Sequence, residues 1–144
     1  MKLGKIIIAA IVFLLIALIV HSAGAMAGMN YYLEPEYFPV WSQIMMPNAE
    51  PPGTEFYALS MLFNFIAGLI FAGFYVFVKN LFKDKSKLLQ GAKFGGLLFV
   101  LITIPSTLSM ILLINLPLTL IVLWAVESLV IFKLSGIAFV KLLK

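Results

Sequence analysis

Residues 94–132 read FGGLLFVLITIPSTLSMILLINLPLTLIVLWAVESLVIF, and Glu127 is the only charged residue among them. Two apolar segments lie on either side of the tripeptide Asn-Leu-Pro at 115–117. At about 1.5 Å of rise per residue, each segment is long enough for a helix that crosses a hydrocarbon core of about 30 Å. Proline is well placed at a helix start, because its missing N–H would be unpaired there anyway. This stretch therefore predicts two membrane-spanning helices joined by a tight turn.

The composition of the whole chain extends this prediction to four spans. The chain has 144 residues, of which 63% are hydrophobic and 11% charged, and its mean hydropathy is +1.12. Such a chain is too apolar for a soluble domain and too short for more than one bundle. We predict an all-α integral membrane protein, a four-transmembrane-helix antiparallel bundle made by one domain, residues 1–144. The predicted spans are about 5–28, 56–79, 93–114 and 116–140, with an outer loop at 29–55 and a basic inner loop at 79–93.

The charges of the chain are sorted by side of the membrane. All ten lysines lie towards the two chain ends or in the segment 79–93, whereas the segment 29–55 contains four glutamates and no lysine. Because lysine-rich loops stay on the cytoplasmic side, we predict cytoplasmic N- and C-termini in a multi-pass protein of a prokaryotic plasma membrane. One alternative stays open: the lysines, apolar run and small residues of segment 1–25 also match a cleaved secretory signal. Cleavage would leave three spans and an N-terminus outside.

The two longer loops predict different surroundings. The outer loop is rich in aromatic residues and proline, and such aromatic residues prefer the headgroup layer of a membrane. It is interpreted either as an interfacial belt or as a lid over a pocket that opens outwards. The lysines of the inner loop predict attraction to anionic lipids in the adjacent leaflet. The lipid bilayer is therefore the first predicted partner of the chain.

The composition also excludes several kinds of functional site. There is no cysteine, so disulfides, thiolate metal sites and cysteine nucleophiles are excluded. A single histidine with one intramembrane glutamate does not supply the ligands of a zinc site. There is no arginine and no nucleic-acid-binding motif, and no pattern typical of a serine nucleophile is present. We therefore predict no cofactor, no metal, no catalytic residue and no nucleic-acid partner.

Small residues mark the helix faces that are expected to pack, and the rare polar residues lie on the same faces. His21 shares a face with Gly24 in span one, and Asn64 shares one with Gly68 in span two. In span three the predicted contact face contains Gly96. This coincidence predicts a binding site in the outward half of the bundle. Its candidate residues are Glu127, Asn64, His21, Ser106, Thr103 and Trp124.

Glu127 is the charge that the topology does not explain. An ionised carboxylate at mid-membrane costs at least about 2.5–3.5 kcal/mol, so Glu127 should face the bundle interior or water. It is interpreted either as a functional group or as a protonated residue that hydrogen-bonds a neighbouring helix. Depths counted from the span ends are about 15–18 Å for Glu127 and about 7 Å for His21. This difference predicts that Asn64 or a water bridges the two residues, rather than a direct contact.

Pro105 interrupts the third span. A proline inside a helix removes one backbone hydrogen bond and frees a carbonyl, here near Leu101, which a serine or threonine hydroxyl or a water can satisfy. The interruption is interpreted either as a static kink that improves packing, or as a hinge or a binding carbonyl beside the polar residues.

Three functional hypotheses follow from these features. The first is a non-enzymatic membrane protein that binds a small amphiphile, an ion or a partner helix in its outward half, with proton-coupled transport as one form of this function. A homo-oligomer or a complex with a partner membrane protein belongs to this hypothesis, because four short helices enclose little volume. The second is a small membrane enzyme that acts on a lipid or quinone, with His21 or Glu127 as acid or base. The third is a scaffold or assembly subunit of a membrane complex.

Overall fold

The computed structural model describes residues 3–46, 50–82 and 84–143, and within these ranges the regular structure is entirely helical. A 3₁₀ turn at Pro35–Val40 lies in the connection after the first long helix, and a second at Lys79–Leu81 extends the next one. A π-helical turn, Phe99–Thr103, lies within the third long helix. The α-helices are α1 (Leu3–Ala27), α2 (Met29–Tyr32), α3 (Thr54–Val78), α4 (Lys87–Leu98), α5 (Ile104–Leu113) and α6 (Leu118–Leu142).

Four of the described helical segments are long and apolar enough to cross a membrane. They are Leu3–Ala27 with 25 residues, Thr54–Leu81 with 28, Lys87–Leu113 with 27 and Leu118–Leu142 with 25. Their number agrees with the four apolar segments of the sequence, so the prediction of an all-α chain with four such helices is confirmed. Helices are the expected solution, because every backbone N–H and C=O inside a bilayer must be paired within its own segment.

The third helix begins earlier than the sequence suggested. Lys87 is its first residue, so among the described residues of the predicted inner loop 79–93 only 82 and 84–86 lie outside helices. Ser86 occupies the N-cap position, and its hydroxyl accepts a hydrogen bond from the backbone N–H of Leu89. A serine in this position satisfies one of the unpaired N–H groups at a helix start. The helix can therefore begin among the lysines, before the apolar segment does.

Helix α1 packs between α3 and α6, in contact with both. Its contact with α3 is close because Gly68 faces the backbone of Ala10. Its contact with α6 is close because Gly28 leaves room for the side chains of Leu120 and Leu123. Without a hydrophobic driving force between helices in lipid, small residues at such points allow the close approach that stabilises the pair.

Helices α4 and α6 form another closely packed pair. A Cβ atom on Gly91 would overlap the backbone of Ile137, and one on Gly95 would overlap the carbonyl of Phe132. Gly136 on α6 faces Gly91 in the same way, so the two helices approach backbone to backbone. The pairs 91 with 137 and 95 with 132 run in opposite directions along the chain, which makes this contact antiparallel.

The predicted contact face of the third span was wrong at Gly96, because nothing lies within 4 Å of the position of a Cβ there. The π-helical turn Phe99–Thr103 explains the error. A π turn inserts one extra residue, and each residue rotates a helix by about 100°. Gly95 and Thr103 therefore share the buried face, whereas a regular helix would have aligned Thr103 with Gly96.

Pro105 follows this π turn directly and lies in the first turn of α5. The hydroxyl of Ser106 donates to the carbonyl oxygen of Ile102 at 2.9 Å and also lies 3.1 Å from that of Thr103. A serine hydroxyl thus bonds carbonyls beside the proline, but not that of Leu101, so the predicted satisfaction of the Leu101 carbonyl stays a prediction. Whether the interruption acts as a hinge stays a prediction.

An aromatic cluster joins three of the helices at one end of the bundle. The ring of Phe94 on α4 packs against Tyr75 of α3 at a centroid distance of 5.0 Å and against Phe139 of α6 at 6.3 Å. One turn away, Phe71 of α3 packs against Phe132 of α6 at 5.4 Å. These large side chains fill the space between α3 and its neighbours, so α3 stands further from α6 than α1 does.

The bundle has two chemically different ends. The end that carries the connection 28–53 holds the four glutamates of the sequence segment 29–55 and is called the acidic end below. The opposite end, called the lysine end, holds the start of α1, the connection 82–86 and the end of α6. There the Lys79 ammonium donates to the carbonyl oxygen of Leu143 at 3.3 Å. The predicted assignment of the lysine end to the cytoplasm stays a prediction.

Candidate functional site

The two rarest polar groups of the membrane segments meet in the structure. Nδ1 of His21 on α1 lies 2.8 Å from Oε2 of Glu127 on α6. The Glu127 side chain is 7% accessible, whereas that of His21 is 50% accessible. The carboxyl group is therefore inside the bundle, as predicted from its cost in lipid. The imidazole connects it to the bundle surface.

This direct contact corrects the prediction that Asn64 or a water would bridge His21 and Glu127. Helix α6 begins at Leu118, so Glu127 lies only about 14 Å from its start, counted at 1.5 Å per residue. Helix α1 runs to Ala27, which places His21 about 9 Å from its end rather than about 7 Å. The two side chains span the remaining difference in depth.

Gly24 makes room for the Glu127 carboxyl group. A Cβ atom at this position would overlap Oε1 and Cδ of Glu127, so only glycine allows the carboxyl to lie against α1. Gly24 is one turn from His21 on the same helix face, which brings the imidazole to the other carboxyl oxygen. Within the described residues, Oε1 is buried and has no hydrogen-bond partner. The sequence signal for this arrangement was the small residue one turn after the only histidine.

A cleft of about 180 Å³ lies beside the His21–Glu127 pair, between α1, α3 and α6. Its polar lining comes from one residue on each helix, namely His21, Asn64 and Ser128. Its apolar lining includes Phe71 and Phe132, whose rings pack against each other on the side of Asn64 and Ser128 that leads to the lysine end. The sequence did not single out these two rings, because thirteen phenylalanines are distributed over the chain without a pattern that distinguishes them.

The polar groups of the cleft present mainly hydrogen-bond acceptors. Asn64 donates one amide hydrogen to the carbonyl oxygen of Ser60 at 2.8 Å, which leaves its side-chain oxygen as an acceptor and its second amide hydrogen as a donor. Ser128 donates its hydroxyl to the carbonyl oxygen of Trp124 at 2.9 Å, which leaves the oxygen lone pairs. An ionised Glu127 can only accept, so Nδ1–H of His21 donates to it, and in a neutral imidazole Nε2 is then an acceptor.

Two tyrosines attach the segment after α1 to the acidic end of α6. The indole N–H of Trp124 donates to the Tyr32 hydroxyl at 2.8 Å, and the Thr119 hydroxyl donates to the Tyr31 hydroxyl at 2.7 Å. The ring of Trp41 packs against Tyr32 at 5.3 Å and against Trp124 at 6.2 Å. This aromatic cap, consisting of Tyr31, Tyr32, Trp41 and Trp124, lies one helical turn from Glu127.

The Tyr32 hydroxyl is affected by this position. Burial raises the pKa of the Tyr32 phenol above its ordinary value, the hydrogen bond from Trp124 lowers the pKa, and the nearby Glu127 carboxylate raises it again. Tyr32 therefore stays protonated at neutral pH and keeps its hydroxyl proton for donation. Sequence reasoning named Trp124 but not the tyrosines that hold it, since aromatic richness alone did not show which rings meet.

The other two candidate residues lie outside the cleft. Thr103 is buried, and Ser106 is accessible, but neither is among the residues that line the cleft. Helix α5, which carries Ser106, contains no buried residue. The structure thus brings His21, Glu127 and Asn64 together, with Trp124 one turn away, and leaves the hydroxyls of the third span apart from them.

In the described part of the chain, no group of three His, Cys, Asp or Glu side chains lies close enough to hold a metal ion. No protein-family model, curated protein or solved structure matches the chain. The functional inference therefore depends on the geometry of the cleft and of the groups around it.

The aromatic cap provides a first testable prediction. A Trp124→Phe variant loses the donor to Tyr32, and one hydrogen bond of this kind contributes about 1 kcal/mol, or about fivefold in an opening equilibrium. We expect amide hydrogen exchange in residues 29–46 to become about fivefold faster, measured by mass spectrometry. Tyr57→Phe removes a hydroxyl from an accessible tyrosine of α3 and should leave the exchange unchanged. Equal exchange in wild type and Trp124→Phe would show that the cap does not hold the segment.

Proposed function

We propose that this protein is a non-enzymatic, multi-pass membrane protein that binds a small amphiphile with a hydrogen-bond-donating head, either a hydroxyl or an amine. The observation that supports this most directly is the cleft lined by His21, Asn64 and Ser128 beside the buried Glu127. In this proposal the head of the ligand lies between the three polar side chains, and Glu127 acts by orienting the imidazole and by its charge.

The chemistry of the lining supports a donor rather than an acceptor as the head. His21, Asn64 and Ser128 each retain an acceptor lone pair, whereas Nδ1–H of His21, the Ser128 hydroxyl and one of the two Asn64 amide hydrogens are used within the protein. An ionised Glu127 beside the cleft favours a cation and disfavours an anion. An ammonium or hydroxyl head satisfies these acceptors, and a carboxylate head leaves them unpaired next to a like charge.

The size of the cleft supports an amphiphile rather than an enclosed solute. A volume of about 180 Å³ corresponds to about six water molecules at about 30 Å³ each. Most sites that enclose a small ligand measure about 300–1,000 Å³. A ligand whose polar head enters the cleft while its apolar tail stays in the bilayer needs no larger space.

The test is a titration of the full-length chain in phosphatidylcholine nanodiscs with three probes of equal chain length: decylamine, 1-decanol and decanoate. Both tryptophans lie in the aromatic cap near the cleft, so their fluorescence reports occupancy. We expect decylamine and 1-decanol to bind saturably and at least about tenfold more tightly than decanoate. The reason is that decanoate would leave the buried acceptors of the cleft without hydrogen-bond donors. Asn64→Leu should weaken decylamine binding about tenfold for the same reason.

Phe63→Leu is the matched control, because it introduces leucine at the preceding, accessible position of the same helix. Empty nanodiscs measure partition of the probes into lipid. Decanoate binding as tight as decylamine, or an Asn64→Leu variant that binds like wild type, would overturn the proposal.

One observation favours a second candidate function, a membrane enzyme that acts on a lipid or quinone. A carboxylate that holds Nδ1 of a histidine orients the imidazole so that Nε2 can take a proton, and this arrangement serves general-base catalysis in many enzymes. The two candidates differ in outcome: an enzyme converts a reconstituted lipid or quinone into a product detectable by mass spectrometry. That product should disappear in Glu127→Gln and in His21→Ala.

Transport and oligomerisation stay predictions. The described lining of the cleft reaches no further towards the lysine end than Phe13, Phe71 and Phe132, and no observation favours transport across the membrane. The accessible surface of α5 leaves a helix face on which a second copy or a partner membrane protein has space to pack. Under the predicted topology, the cleft belongs to the outward half of the protein.

A further inference from the structure

A second cavity lies at the lysine end, separate from the cleft. Its volume is about 310 Å³, and it lies between the end of α3, the start of α4 and the end of α6. Half of its lining side chains are polar and half are apolar. They are Lys79, Lys87, Asn80 and Gln90 on one hand and Tyr75, Phe82, Val140 and Leu143 on the other.

The polar half of this lining is rich in donors. Lys79 uses one of its three ammonium hydrogens on the carbonyl oxygen of Leu143, which leaves two for a ligand. Gln90 donates one amide hydrogen to the carbonyl oxygen of Phe82 at 2.5 Å and retains a second. Asn80 is accessible at the rim and carries an amide of its own. Several donors around one space predict a ligand that offers several acceptors.

The charges near the cavity favour an anion. The described lining includes two lysines and no Asp or Glu side chain. Asp84, in the same connection, lies 2.6 Å from the Lys93 ammonium and is not part of the lining. Two helices end and one begins around the cavity, so the helix dipoles do not decide the sign of the ligand. The lysine side chains decide it.

We propose that this cavity binds a phosphate group, with Lys79, Asn80 and Gln90 as its donors. Phosphate offers the tetrahedral set of acceptor oxygens that such donors match, and lysine is a common binder of it. The apolar half of the lining suits the glycerol and upper chain of a phospholipid, and the cavity lies where the predicted topology places the lipid headgroups. The two sources of this chemistry are an anionic lipid and a soluble phosphate ester.

A specific binding site and general attraction to a charged membrane surface predict different losses of affinity when a single lysine is removed. General attraction amounts to about 1 kcal/mol for each lysine near the surface, or about fivefold in affinity, whichever lysine is removed. The affinity of a specific site in the cavity depends on Lys79 but hardly on Lys85, which is accessible and does not line the cavity. The variants Lys79→Gln and Lys85→Gln remove the same charge and are therefore a matched pair.

The experiment is a titration of the full-length chain in neutral detergent, followed by native mass spectrometry. The probes are dioctanoyl phosphatidylglycerol, dioctanoyl phosphatidylcholine, glycerol phosphate and inorganic phosphate. We expect the anionic lipid to bind at least about tenfold more tightly than the zwitterionic one, and Lys79→Gln to remove about tenfold of that affinity, as loss of a charge-assisted bond predicts. Lys85→Gln should change it less than about twofold.

Asn80→Ala is a second variant, because Asn80 is accessible and its loss should not disturb the fold. We expect it to weaken binding about threefold, in line with a neutral hydrogen bond. Comparable binding of glycerol phosphate and the anionic lipid identifies a site for soluble phosphate esters, whereas binding of the lipid alone identifies a headgroup site. Equal losses in Lys79→Gln and Lys85→Gln, equal binding of both lipids, or no binding of any probe would each overturn the proposal.

Discussion

A Gly95→Ala variant is expected to lose about 3 kcal/mol of stability, although alanine is the better helix former. The added Cβ would overlap the Phe132 carbonyl oxygen and the Lys133 Cα, which are backbone atoms of α6 and cannot rotate away. Forcing extra atoms into a packed contact typically costs about 1–3 kcal/mol and occasionally more. Because α4 and α6 depend on backbone-to-backbone approach, the whole contact must widen.

Gly96→Ala is the matched control for this prediction. The same substitution is made one residue further along, where nothing lies within 4 Å of the added Cβ. Without a clash, alanine should stabilise the helix by about 0.5–1 kcal/mol. Unfolding in sodium dodecyl sulfate, followed by circular dichroism in mixed micelles, measures both. Two neighbouring glycines should thus respond with opposite signs, and a loss in Gly96→Ala equal to that in Gly95→Ala would contradict the helix contact described here.

The second large effect is expected at the His21–Glu127 pair. His21→Ala leaves a buried carboxyl group without its partner, which we expect to destabilise the fold by about 1–3 kcal/mol. This loss of stability is smaller than that on breaking a fully buried ion pair, which is about 3–5 kcal/mol. The difference arises because the imidazole is half accessible, so water can take its place in part. Glu127→Gln removes the charge but keeps an acceptor for Nδ1–H, so its cost should be about 1 kcal/mol.

The double variant His21→Ala/Glu127→Gln makes this prediction specific. Since no charge remains buried in it, we expect the double variant to be more stable than His21→Ala alone, a non-additivity typical of residues in contact. Ser109→Ala, whose hydroxyl bonds only its own helix at 3.0 Å, should change stability by less than about 0.5 kcal/mol. Additive losses, or a His21→Ala variant as stable as wild type, would show that Glu127 does not depend on the imidazole.

The four long helices were predictable because the requirement behind them is local. A lipid-exposed backbone must pair its own N–H and C=O groups, so apolar length alone predicts a helix. The faces were predictable only in part. Gly24 and Gly68 do lie at contacts, but the choice of Gly95 over Gly96 depends on the π turn that rotates the helix after it.

The candidate site was predictable in its residues but not in its geometry. The free-energy cost of a carboxylate inside the membrane was enough to select Glu127. His21 was selected because it is the only histidine of the chain. Their direct contact depends on where α1 ends and α6 begins, and helix ends are the least certain part of a sequence-based prediction. The lysine-end cavity could not be predicted, since it forms where three helix ends meet and no single segment shows it.

The position of α1 between α3 and α6 has a consequence for how the protein is made. Its two contacts differ greatly in sequence separation, because α3 is the next long helix along the chain, whereas α6 follows all the other described helices. During synthesis His21 and Gly24 therefore enter the membrane long before Glu127 exists. The pair between them can form only after α6 has been inserted, so we expect the cleft to form late in biogenesis, after the three other long helices have entered the membrane.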